Sequence, residues 1–448
     1  MDKIPASLRY NASKVMMRTN NFVVRPSGTD AGGQHSIFRF QLPERSLVDL
    51  SSLQLIFDAN FTGLTTGANY LNIKIPAVHK LIKSVKTYVG GLIASGGQSN
   101  HYDLLYSALL KSTASEDYCL SRLESGYQEL LGKSDDIGDI DVAPTATSKS
   151  FHYIHTDLLG LFRSGDQSII DTSLWGNLEL EISMNSLAGV QRKRGGDGSA
   201  VDTVDVAFSN VLCRVNCITQ ISPLYNEILN VKLGEKGSSI RLPYMNFITN
   251  VLSGNNKTSI EVNSGCVDSL IFAPLQSTYD TNTIIANATN PSNANANRYV
   301  FNSGRTVADA NTASLFVSVG SENYPRQPIT NALDVAPMTT QAFWGEASDS
   351  RNLLYQGISA TASGTAAQQT YSRANFLNTN FVFALPFSSS KEGYRTRLLA
   401  GLDTASQSIQ MSVNQTNLIP ANGLSFVCAM TTSMLIYDTE NQTVRVVL

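Results

Sequence analysis

The strongest constraint on this chain is a period of two. In Leu53-Gln54-Leu55-Ile56-Phe57-Asp58-Ala59-Asn60-Phe61 the odd positions are apolar and most even ones polar. Successive side chains of an extended strand point to opposite faces, so this pattern predicts a strand buried on one side. Phe38, Phe40 and Leu42 repeat it across Arg39 and Gln41, and Leu178, Leu180, Ile182 and Met184 across Glu179, Glu181 and Ser183. Ile409, Met411 and Val413 do the same near the C-terminus. From Leu424 to Val447 the chain is apolar and β-branched, with one polar break at Asp438-Thr439-Glu440-Asn441-Gln442 that predicts a hairpin turn.

Helical signals are few. Asn100 is placed to cap a short helix carrying Tyr102, Leu105 and Leu109 on one face. Ser115 is placed to cap a second helix, through Leu120, Leu123, Tyr127 and Leu130, that ends at Gly132. Both lie between strand patterns, as inserts in sheet connections, and they do not recur as an alternating strand–helix fold requires. The expected class is all-β, with short helical inserts.

Long polar segments separate the strands: 132–149, 191–200, 277–297 and 360–369. Loops of this size act at a surface or do not belong to a compact domain. The run from Ala286 to Asn297, mostly Ala and Asn, cannot build a core. The clearest boundary is Ile221-Ser222-Pro223, close to the middle of the 448 residues. The two halves share features. Phe38-Arg39-Phe40-Gln41-Leu42-Pro43 is matched with Ser239-Ile240-Arg241-Leu242-Pro243, and the strand from Ser84 into Gly90 with that from Ser314 into Gly320. Two β domains of one type in tandem are expected, at 31–222 and 223–448, behind an N-terminal arm at 1–30.

Charge sharpens that division. Only 15% of residues are charged and the net charge is −3, which excludes a highly charged disordered chain and a globally basic nucleic-acid binder. Yet Lys3, Arg9, Lys14, Arg18 and Arg25 face Asp2 alone in the first 25 residues, so that stretch carries +4 and the remainder −7. A basic arm on a mildly acidic body suits a tether to an anionic or neighbouring surface. The start of the chain lacks the apolar stretch of a signal peptide, and no apolar run reaches 18 residues, so synthesis in the cytoplasm is expected.

A search for chemistry nominates no catalytic, cofactor-binding or metal-ligating residue, and no enzyme is expected. The five histidines, His35, His79, His101, His152 and His155, form no metal motif, and His152 and His155 on one strand point to opposite faces. Cys213 and Cys217 alternate with polar residues on a strand, where a four-residue separation is about 13 Å, too far to bridge. With Cys119, Cys266 and Cys428 they suit small buried hydrophobes. Glu179 and Glu181 would share a solvent-facing strand surface, the ordinary place for such a pair. Gly195-Gly196-Asp197-Gly198 after Arg192-Lys193-Arg194 has no strand-to-helix setting and suits a flexible basic loop.

One constellation resembles a family. Leu81 to Gly91, followed by the helix around Tyr102 to Leu110, is similar to the strand–glycine–helix passage of the double jelly-roll major capsid proteins of icosahedral double-stranded DNA viruses, the adenovirus-hexon-like lineage. Leu158 to Gly165, Ser173 to Ile182, Val319 to Ile329 and Phe381 to Phe387 follow the same order. The resemblance spans most of 36–448 and is one of pattern and order. It implies two eight-stranded jelly-roll sandwiches, self-assembly as pseudo-hexameric homotrimers, and a place in the virion. It also implies contacts with neighbouring capsomers, penton and minor capsid proteins, and an arm (Lys3, Arg9, Lys14, Arg18, Arg25) that touches an internal membrane or the genome. The alternative is a carbohydrate-binding or adhesive β-sandwich protein, a fibre or spike, which should display an aromatic platform. Trp175 and Trp344 are the only tryptophans, and neither lies in an aromatic cluster.

Overall fold

Sixteen strands carry the architecture, and they fall into two sets of eight with one connection order. The computed structural model describes residues 18–62, 72–73, 76–97, 100–127, 130, 148–163, 169–185, 192–193, 205–220, 223–234, 239–253, 257–276, 299–343, 353–359, 368–387, 401–404, 410–418 and 423–447. In the first half the strands are β1 (Arg18–Val24), β2 (Ile37–Gln41), β3 (Leu47–Thr62), β4 (Ile82–Val89), β5 (Leu92–Ser95), β6 (Ser148–His155), β7 (Leu178–Met184) and β8 (Asp205–Gln220). In the second they are β9 (Ser239–Ser253), β10 (Lys257–Glu261), β11 (Val267–Gln276), β12 (Ser314–Val319), β13 (Glu322–Ile329), β14 (Phe383–Pro386), β15 (Gln410–Thr416) and β16 (Gly423–Asp438).

The two main antiparallel sheets of the first half are β1-β8-β3-β6, with Ile169–Asp171 also paired on β3, and β2-β7-β4-β5. Those of the second half are β9-β16-β11-β14 and β10-β15-β12-β13. Adding eight to each strand number of the first half gives the second. The expected pair of eight-stranded sandwiches is present. A last strand, β17 (Thr443–Val447), returns along β16 through the turn at Asp438, as expected from the polar break.

Alternation does what the sequence predicts. On β3, Leu53, Leu55, Phe57, Ala59 and Phe61 are buried, as are Phe38 and Phe40 on β2. Buried aromatic and aliphatic side chains contribute about 1.5–3 kcal/mol each, the dominant stabilising term here. At the β4–β5 hairpin Val89 pairs with Leu92, and Gly90 and Gly91 take positive φ (56° and 81°), the type I′ geometry that favours glycine.

Several expectations need correction. The match of residues 38–43 with 239–243 pairs the wrong strands: β2 lies in the short sheet, whereas β9 is the counterpart of β1. Alternation marks any half-buried strand and does not identify its position in the order. The match of Ser84–Gly90 with Ser314–Gly320 pairs true counterparts, β4 and β12. Part of the expected arm belongs to the body, since Arg18–Val24 pairs with β8 as β1 and Arg25 binds Asp30 at 3.2 Å. Lys3, Arg9 and Lys14 lie outside the described residues, as do Ile221 and Ser222, the run 286–297, Gly195 to Gly198 and most of the other long polar loops.

The helices also differ. Helix α1 (Tyr102–Thr113) starts after His101, because the Asn100 amide instead donates to Val85 O (2.7 Å) and Gly96 O (3.2 Å). Tyr102 through Ser112 are all buried, so α1 has no solvent face. Ser115 does cap α2 (Glu116–Leu120), accepting from Tyr118 N at 3.1 Å, but α2 stops at Leu120. A single tight turn, Leu123–Ser125, follows and closes on Gly126, with φ 69°. Besides the single turn Thr172–Trp175, three longer helices among the described residues were not expected: α3 (Pro223–Gly234) between the halves, α4 (Val335–Ala342) and α5 (Arg373–Thr379). Pro223 at the first helical position and Gly234 at the end of α3 are the signal that would have found it.

Candidate functional site: the seam between the two sandwiches

Among the described residues, those weighed for chemistry do not gather at one place. His155 is fully buried on β6 while His152 is exposed, its Nδ1 2.6 Å from Asp58 Oδ1, so the two do face opposite ways. Asp58 lies on the same solvent-facing stretch. Burial pushes its carboxyl up, but hydrogen bonds from Asn210 and His152 outweigh this and hold it below the usual value. All five cysteines are free and buried, and burial pushes the Cys119 thiol up to about 12, far from thiolate reactivity.

Glu179 and Glu181 do not share a solvent surface. Glu179 is exposed, whereas Glu181 is 5% exposed on β7, held by Arg39 at 2.9 Å and Lys86 at 3.5 Å from the flanking strands β2 and β4. Among the described residues no group of three His, Cys, Asp or Glu side chains can hold a metal ion. A shallow pocket at Ser121, Arg122, Glu124, Ser125, Ile154 and Thr156 has its guanidinium already tied to Asp157 at 2.9 Å.

The distinctive arrangement lies instead where the halves meet. From the first sandwich come β5, α1 and the turn before β7; from the second come β9, Tyr299, Thr379 and Tyr437. The Tyr244 hydroxyl of β9 donates to Ala94 O of β5, and Asn246 Nδ2 also reaches it at 3.4 Å. The His101 amide donates to Thr249 Oγ1 at 2.8 Å. Trp175 meets Tyr437 edge to face, with ring centres 6.1 Å apart. One continuous apolar core runs through the seam, from Phe40 and Leu105 to Tyr244, Phe247 and Tyr437.

One cross-link uses a charged donor. Lys111, buried on α1, donates to Tyr299 O (2.6 Å) and Thr379 O (2.8 Å), with Nζ 4.5 Å from the Phe301 ring centre. A buried ammonium is tolerated only when it is hydrogen-bonded, so this contact fixes the geometry of both sides. Asp103 Oδ2 accepts from Tyr299 OH and from Asn185 Nδ2, each at 3.1 Å. Lys80 lies 5.0 Å from the Tyr299 ring centre.

Behind these contacts, on the first-sandwich side, is an aromatic cluster. His79 stacks on Tyr106 with centres 5.4 Å apart, and its Nε2 is 2.9 Å from Ser107 Oγ. The Tyr102 hydroxyl is 2.7 Å from His155 Nε2, and Tyr127 OH donates to Tyr106 OH at 3.1 Å. Burial, with Lys80, His155 and Lys111 adding to it, holds His79 well below the ordinary histidine value. Burial pushes the Tyr127 phenol up. Both rings are therefore neutral. These histidines and tyrosines lie far apart along the chain; what joins them is tertiary contact between α1, β6 and the turn Val78–Leu81, for which no local motif exists.

No family model and no curated sequence matches the chain. Solved structures do. The PBCV-1 protein VP54, fitted into a reconstruction of the Sputnik virophage, aligns over 97% of each chain at TM-score 0.58 and 10% identity. The Faustovirus major capsid protein aligns over 94% of this chain and 90% of its own at TM-score 0.56 and 10% identity. A chain of the Sputnik virophage structure aligns over 96% and 88% at TM-score 0.53 and 12% identity. The chain has the double jelly-roll fold. At this level of identity the likeness is one of fold, and it extends over most of each chain.

Proposed function

We propose that this protein is a structural protein of a virion, a double jelly-roll major capsid protein whose trimers tile an icosahedral shell. One observation carries the reading: the same eight-strand order occurs twice in one chain, locked at a buried seam, and the fold aligns over 94% of the chain with solved virus capsid proteins. Three such chains present six similar sandwiches, which gives a closed ring with a pseudo-sixfold outline. Function is then geometry, and the site that matters is the joint that fixes the angle between sandwiches. Low surface charge suits this, because broad subunit contacts disfavour unpaired charges. Neighbouring capsomers, penton and minor capsid proteins would be the further partners. The basic arm, now limited to residues 1–17 with Lys3, Arg9 and Lys14, would reach an internal membrane or the genome.

The adhesive reading is less well supported. Trp175 is 2% exposed beneath Tyr437 and cannot serve as a platform for sugar stacking. Light scattering on the purified protein tests the proposal. It should give three times the chain mass of 48.5 kDa, stable to dilution, with hexagonal particles in negative stain. A monomer at micromolar concentration with measurable glycan affinity would overturn it. Removal of residues 1–17, which leaves β1 whole, should preserve the trimer and impair shell assembly.

A further inference from the structure

We infer that the seam is a proton-sensitive joint, in which acid loosens the second sandwich from the first through His79. This rests on the reading of the seam as the element that sets capsomer geometry. His79 sits on the turn Val78–Leu81, fully buried. Its Nε2 meets Ser107 Oγ at 2.9 Å, while its Nδ1 has no hydrogen-bond partner among the described residues. Its ring stacks on Tyr106 and lies 6.0 Å from the Tyr127 ring and 6.3 Å from the ring of Tyr299, which belongs to the second sandwich.

The ring is surrounded by Tyr106, Tyr127 and Tyr299, and the charged groups that bear on it are chiefly the two lysines. Lys80 lies on the same turn, Lys111 on α1 and His155 on β6, and all three oppose a positive ring at position 79. The one carboxylate among the groups named here, Asp103 on α1, is already engaged by Tyr299 OH and Asn185 Nδ2. A second proton on His79 would place a buried N–H without an acceptor beside two ammonium groups, so the closed seam keeps the ring neutral.

If Tyr299 and its neighbours move away, water reaches the ring and it takes a proton as an ordinary histidine does. The sign follows from linkage. The closed form binds fewer protons than the open one, so closure is favoured above the ordinary histidine value of about 6.5 and weakens as pH falls below it. Each lost pH unit shifts the equilibrium by up to about tenfold.

Hydrogen exchange of the full chain at about pH 7.5 and pH 5.5, corrected for intrinsic rates, reads this directly. Peptides covering residues 92–113 and 239–253 should lose protection by up to about tenfold, while those covering 53–61 and 205–218 hold theirs. His79→Gln, whose amide can still reach Ser107 and cannot titrate in this range, should abolish the difference. Equal seam protection at both pH values in the natural protein overturns the inference even if the variant fails to fold. A uniform loss across all peptides, which is global acid unfolding, overturns it too. Light scattering on the pH 7.5 sample keeps the two readings apart. A trimer with a pH-independent seam removes only the proton-sensitive joint, whereas absence of a trimer removes the capsid reading.

Discussion

Helices α1 and α4 occupy the same place in the two sandwiches, each following the short hairpin β4–β5 or β12–β13, yet they do opposite work. Helix α1 is buried on all sides and spends its polar groups across the seam, through Lys111 and Asp103. Helix α4 buries Val335 and Ala336 in the core of its own sandwich, and only its end, at Ala342, joins the core that runs through the seam. There Thr339 Oγ1 donates to Val382 O at 2.6 Å and accepts from Ala384 N at 3.1 Å, beside β14. Strand environments differ in parallel. β1 is exposed from Thr19 to Val23, whereas its counterpart β9 is buried at Ile240, Leu242, Tyr244 and Phe247 because the first sandwich packs on it. The repeated fold has therefore made one set of positions into a joint and kept most of the equivalent set within its own sandwich. That asymmetry fixes the angle between the two sandwiches inside the chain.

The largest test of this asymmetry is truncation inside α1. Tyr106→Ala should cost about 3–5 kcal/mol, against about 2 kcal/mol for Val335→Ala in α4, both measured by urea unfolding. Equal losses would mean that α1 is no more central than its counterpart. Lys111→Met should cost about 3 kcal/mol, since it leaves the carbonyls of Tyr299 and Thr379 without their donor. Its distinguishing sign is lost exchange protection on both sides of the seam. Thr339→Val should cost about 1–2 kcal/mol, with changes confined to the second sandwich; spread into residues 92–113 would show that α4 also supports the joint. The smallest pair is a control. Ser115 and Ser372 each accept from an amide at 3.1 Å as helix caps, so Ser115→Ala and Ser372→Ala should each cost about 1 kcal/mol and leave the seam unmoved.

Much of the fold was legible because alternation is a local record of burial. Leu53 to Phe61, Phe38 to Leu42 and the β16–β17 turn at Asp438 are each specified within a few residues. The candidate site was not legible, because its parts come from distant segments: Lys111 meets Tyr299 and Thr379, and His101 meets Thr249. Asn100 shows the same limit at short range. Its position suits a helix cap, but Gly96 brings the chain so close to Val85 O that the amide is drawn there instead.

By itself the sequence determined that this chain is two tandem β domains and that its N-terminus is more basic than its body. Those properties follow from periodicity, composition and residue type, which act locally or additively. Only the tertiary structure decided which strands correspond, with β9 answering to β1 rather than β2, and that residues 18–24 belong to the sheet. It alone brought His79, Lys80, Lys111 and Asp103 around Tyr299. Correspondence and contact are set by long-range pairing and burial, and one pattern of alternating side chains is compatible with many places in a sandwich.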